Sequence, residues 1–75
     1  MAKFQDVEVV KLRRDLPAYG LKSGEVGAVV MVYPIIPDLP QAYEVEFVDK
    51  DGFTTALVTL MEDELESAEQ DFAGG

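Results

Sequence analysis

Tyr43-Glu44-Val45-Glu46-Phe47, with the turn signal Asp49-Lys50-Asp51-Gly52 and the run Phe53 to Leu60 behind it, decides the fold. A period of two sets Tyr43, Val45 and Phe47 on one face and Glu44 and Glu46 on the other, so one face is buried and one is wet. Gly52 can take the positive φ that a short turn or its adjoining bulge requires. Phe53 to Leu60, rich in Thr, Val and Leu, is the returning strand of this hairpin.

Working upstream, Val26 to Tyr33 is a dense apolar run with β-branched residues at 26, 29, 30 and 32, and it reads as the central strand. Ser23, Gly24 and Glu25 form the turn before it. Gly27 lies inside the strand, where a missing Cβ permits a bulge, a bend or the close approach of another backbone. Phosphate binding would instead need a glycine-rich loop opening a helix, and no helix follows. Val7 to Leu12 reads as the first strand, with Val7 and Val9 on one face and Val10 and Leu12 on the other; the slip of phase predicts a bulge or a strongly coiled strand. Arg13 to Ser23, with Asp15, Pro17 and Gly20, is expected to be a loop lying against the sheet.

Downstream, six of the ten positions from Glu62 to Asp71 are acidic. Met61, Leu65, Ala68 and Phe72 have the spacing of an amphipathic helix, but clustered like charges and short length oppose one. The pattern favours a brief helical turn at 61–64, a short closing strand near Leu65 and an acidic tail. The expected organisation is one domain over 1–67 and a flexible tail over 68–75: mostly β, about five antiparallel strands in a small, partly open barrel.

Asp15-Leu16-Pro17, Gly20-Leu21, Gly24-Glu25-Val26-Gly27-Ala28-Val29-Val30, the strand Tyr43 to Phe47 and Asp51-Gly52 follow one another in an order that resembles a bacterial family of very small proteins catalogued only as a domain of unknown function. The resemblance spans roughly residues 4 to 66. It implies an SH3-like barrel and supplies no catalytic residues. It also suggests work beside a neighbouring gene product, as in toxin and antitoxin modules. The connection Pro34 to Ala42 looks longer and more apolar than the family pattern.

The bulk composition excludes several tasks. Fifteen acidic against six basic residues give a net charge of −9, which repels phosphate backbones and anionic lipid headgroups, so neither nucleic acid nor membrane is an expected partner. Lys11, Arg13 and Arg14 are too few for a nucleic-acid footprint and are expected to pair with Asp15 or the acidic tail. With no cysteine, disulfides, thiolate nucleophiles and the usual cysteine-containing zinc sites are absent. Asp6 and Glu8 stand where a signal peptide would be uncharged, and the apolar run Val26 to Ile36 is about half a membrane span. A cytoplasmic location is expected.

Without His or Cys, acid and base work falls to carboxylates, Lys and Tyr, and the nucleophile candidates shrink to Ser23, Ser67 and a few threonines. No activated pair is visible. Glu44 and Glu46 have the i, i+2 spacing of any solvated sheet face. Asp49, Asp51 and Gly52 resemble the start of a calcium loop, but that register puts Phe47 at the first ligand position and Val58 at the last. No catalytic residue, metal ligand or cofactor is assigned.

One loop remains: Tyr33, Pro34, Ile35, Ile36, Pro37, Asp38, Leu39 and Pro40. Loops run over the surface, and this one carries three large aliphatics stiffened by prolines. Either they fold back as a lid on the core or they meet a partner. The reading that follows is a non-enzymatic protein-interaction module, an antitoxin or immunity-type neutraliser. The alternatives are a structural accessory subunit and an acidic DNA mimic, with a homo-oligomer left open.

Overall fold

A computed structural model of the chain describes residues 3–5 and 7–68. Its strands are β1 (Val9–Leu12), β2 (Val26–Val32), β3 (Ala42–Val48), β4 (Thr54–Met61) and β5 (Leu65–Ser67), with 3-10 turns at Pro17–Tyr19 and Glu62–Glu64. They form one antiparallel sheet in the order β4-β3-β2-β1-β5. The described residues contain no α-helix, so no second layer covers the apolar face of this sheet. The sheet must curl on itself, and residues from both of its ends share one core: Val58 and Leu60 of β4 meet Val10, Leu12, Val29, Tyr43, Val45, Phe47 and Leu65.

The hairpin is formed by the residues that announce it. Tyr43, Val45 and Phe47 are buried, while Glu44 and Glu46 lie on the outer face. The Asp49 carboxylate accepts the N–H groups of Asp51 and Phe53, and Gly52 turns the chain at φ 87°. Irregular register between Phe47 and Val48 on the β3–β4 ladder, and between Val29 and Met31 on β2–β3, adds curvature. Gly27 allows the closest packing: a Cβ there would lie 2.9 Å from the Glu46 carbonyl oxygen, from a Phe47 ring carbon and from Val45 Cγ1.

Several boundaries move. The first strand begins at Val9, because the chain turns at Val7, which has φ 60° and is 78% exposed. The apolar slip marks a turn, closed by a Glu8 N–H to Gln5 oxygen bond, that runs into the expected bulge. Val7 and Glu8 together face Val29, the Val7 N–H donating to the Val29 oxygen and the Val29 N–H to the Glu8 oxygen, with Val7 at positive φ. The central strand ends at Val32, although the Tyr33 N–H still reaches the Ala42 oxygen. The returning strand is shifted by one residue, to Thr54–Met61, and the helical turn is a 3-10 turn at Glu62–Glu64, leading straight into β5. Ala68 is buried and its N–H bonds to the Val9 oxygen. The remainder of the expected tail, 69–75, lies outside the described residues.

Phe4 enters the core from in front of β1, a role the strand pattern does not signal. Its ring is buried and meets Tyr43 edge to face at 5.4 Å.

Candidate functional site: an apolar loop and groove

The β2–β3 loop is held at its base and projects beyond it. Gln41 Nε2 donates to the carbonyl oxygens of Tyr33 and Ala42 at 2.7 and 3.2 Å, tying the two ends of the connection together. At its tip, the Leu39 N–H bonds to the Ile36 oxygen, and Asp38 takes a positive φ of 70°. Prolines at 34, 37 and 40 fix φ at three further positions. The tip is thus shaped by local bonds and stiff residues.

Its aliphatics face solvent. Ile35, Ile36 and Leu39 are 62%, 53% and 61% exposed, and none belongs to the core cluster. Between loop and sheet runs a groove of about 290 Å³, lined by Tyr33, Pro34, Ile36, Leu39 and Pro40 on one side and by Ala42 and Met61 on the other. Every lining residue is apolar or aromatic. Ile35, Pro37 and Asp38 of the sequence-marked loop stand outside the groove. Met61, the last residue of β4, is the wall that sequence reading did not assign to this site; it comes from a distant part of the chain by the Ala42–Met61 pairing.

A second basin of about 370 Å³ adjoins the first through Pro40 and Met61, and it is lined otherwise by Lys3, Arg13, Gln41, Glu62 and Asp63. Beneath it the Tyr43 hydroxyl donates to Glu62 Oε2 at 2.6 Å and accepts the Phe4 N–H at 3.1 Å, while the Lys3 N–H donates to the same carboxylate oxygen at 2.9 Å. The bond from Tyr43, then that from Lys3, holds the Glu62 carboxyl below its ordinary value of 4.5. Burial, reinforced by the bond to Glu62, pushes the Tyr43 phenol up. Such a carboxylate is a weakened base; its bonds tie the segment around Phe4 to the turn after β4.

Several other polar groups are engaged as well. Glu44 Oε1 accepts the hydroxyls of Tyr33 and Thr59, at 3.1 and 2.6 Å, and Glu46 accepts that of Thr54. Lys11 pairs with Glu66 at 3.8 Å and Arg14 with Glu64 at 3.5 Å, whereas Asp15 takes the Ser23 N–H. The basic cluster thus meets the start of the acidic run, and Asp15 serves the loop instead. Among the described residues no group of three or more carboxylates is placed to hold a metal ion. No helix among them is long and apolar enough to cross a membrane.

The family described as a domain of unknown function, DUF4926, matches residues 7–67. No curated protein and no solved structure matches the chain.

Proposed function

We propose that this chain, which belongs to the DUF4926 family of domains of unknown function, is a non-enzymatic protein-interaction module whose curled sheet is an SH3-like barrel. The observation that carries this reading is the β2–β3 loop: a stiffened tip exposes Ile35, Ile36 and Leu39, and Ile36 and Leu39 also line an apolar groove. Exposed aliphatics on a proline-braced loop lose little conformational freedom on binding, so more of their burial appears as affinity. The surrounding charge of −9 speeds encounter with a basic protein and repels nucleic acid. A cytoplasmic neutraliser of a neighbouring gene product fits these features. Its partner offers an apolar projection for the groove and basic residues around it.

The test is affinity capture from cells of the source organism with the wild-type chain and with an Ile36→Asp, Leu39→Asp double variant as baits. The wild type should retain one protein in near-stoichiometric amount, and the double variant should lose it. Equal recovery on both baits would remove the loop from the account.

A further inference from the structure

β4 is an edge strand, and its free side has a short open segment. The Glu62 N–H donates to the Gln41 oxygen, so the alternation of an antiparallel ladder turns the backbone groups of Leu60 and Val58 toward β3 and those of Leu57 and Thr59 away from it. At one end of this segment the Met61 N–H is taken by Glu64 Oε1 at 2.8 Å. At the other, the ladder is interrupted by the irregularity next to Thr54. Among the described residues nothing pairs with the segment between.

Natural sheets protect such edges with charge, proline or a covering element. Thr54 to Met61 has no charged residue and no proline, although the chain as a whole carries −9. Leu57, at the centre of the exposed side, is 55% accessible. A basic partner would find no counter-charge within Thr54–Met61, whereas in a second copy this segment opposes no charge with charge; like charge lies only at its acidic flanks, Asp49 and Asp51 on one side and Glu62 to Glu64 on the other. The open segment is also self-complementary: in an antiparallel pair centred on Val58, Leu57 of each copy faces Thr59 of the other.

We infer that β4 pairs with β4 of a second copy about a two-fold axis at Val58, joining two sheets edge to edge. Leu57 and Thr59 then exchange about four backbone hydrogen bonds across the axis. The contact is smaller than the roughly 1,200 Å² of a standard stable interface, so the pair is weak and concentration-dependent. It uses the sheet edge and does not depend on the partner proposed for the loop.

Sedimentation of the full chain from about 10 µM to about 1 mM tests the pairing, a range that brackets weak association. The wild type should shift reversibly from monomer to dimer, and added salt should strengthen the dimer by screening the charge on each copy. Capture of a basic partner should weaken with salt, which separates failure of one proposal from failure of the other. Leu57→Lys should raise the dissociation constant at least tenfold; the monomer can accept it, because Leu57 lies opposite Glu46 on β3. Hydrogen exchange on the wild type gives a readout independent of that variant. The amides of Leu57 and Thr59 should slow as concentration rises, and that of Lys50 in the hairpin should not. A monomer throughout the range overturns the inference, as does a dimer indifferent to Leu57→Lys. Protection at 57 and 59 that ignores concentration, as an intramolecular cover would give, overturns it as well.

Discussion

Gly27 has no room for a side chain, because three atoms of β3 would lie 2.9 Å from its Cβ and one of them is backbone. Gly27→Ala should therefore destabilise the fold by about 2 kcal/mol, the usual range for an overpacked core. Thermal denaturation should show a midpoint lower by roughly 10 °C. The sequence marked this glycine as architectural while leaving a bulge, a bend and a close approach open; β3 supplies the close approach. Tyr43 was legible as a core residue by its period, but its hydroxyl partners were not, since Phe4 and Glu62 lie 39 positions before it and 19 after it. Tyr43→Phe removes a buried acceptor from the Phe4 N–H and a donor from Glu62, and should cost about 1–2 kcal/mol. The Glu62 carboxyl lies below its ordinary value in the folded chain, so its contribution is present above about pH 4.5 and fades as pH falls through the lowered folded value. For the Tyr43 phenol, raised in the folded chain, the contribution is complete below pH 10.0 and fades as pH rises through the folded value. The gap between the acid and alkaline unfolding curves of the wild type and Tyr43→Phe should narrow toward both extremes, leaving in acid the part that comes from the Phe4 N–H bond. Curves that stay parallel would show that this bond network contributes nothing pH-dependent.

Among the elements, the hairpin was the most legible, because alternation and a turn residue with positive φ are both local signals. The first strand was the least. Val7 has the right residue type for a strand, but at φ 60° it is the bulged residue, sharing Val29 with Glu8, and only the pairing of Val9 with Ala28 decides where the regular β1 starts. The short length of β5 reflects a similar dependence: its three residues are defined by pairing with Val10, Lys11 and Leu12. The β2–β3 loop was legible as a surface feature from its prolines and aliphatics, whereas the groove behind it needed Met61 and thus the β3–β4 register. Because the tip aliphatics stand outside the core, Ile35→Asp and Leu39→Asp should each change stability by less than about 0.5 kcal/mol in denaturant titrations. A loss of 2 kcal/mol or more would mean that the loop serves as a lid. The turn should behave in the opposite way: Asp49→Ala removes the acceptor of the Asp51 and Phe53 N–H groups and should cost about 1 kcal/mol.

At the scale of the molecule, the described residues form one curled sheet with no helical layer among them, which leaves most of their surface to strand faces, sheet edges and loops. Charge is spread widely over it. The described carboxylates singled out above accept bonds from hydroxyls, backbone N–H groups or cations, which accounts for their tolerance in so small a fold and gives them structural work. Large apolar side chains are exposed at several places, Val7, Val26 and Phe53 among them; the β2–β3 loop and β4 are the two that carry the functional account. The most direct test of the loop as contact surface is photo-crosslinking in cells of the source organism, with a photoreactive residue at position 39 or, in a second strain, at position 50 of the hairpin turn. The account predicts a discrete crosslinked species between this chain and one other protein from position 39 and none from position 50. No crosslink from 39, or the same products from both positions, would contradict it.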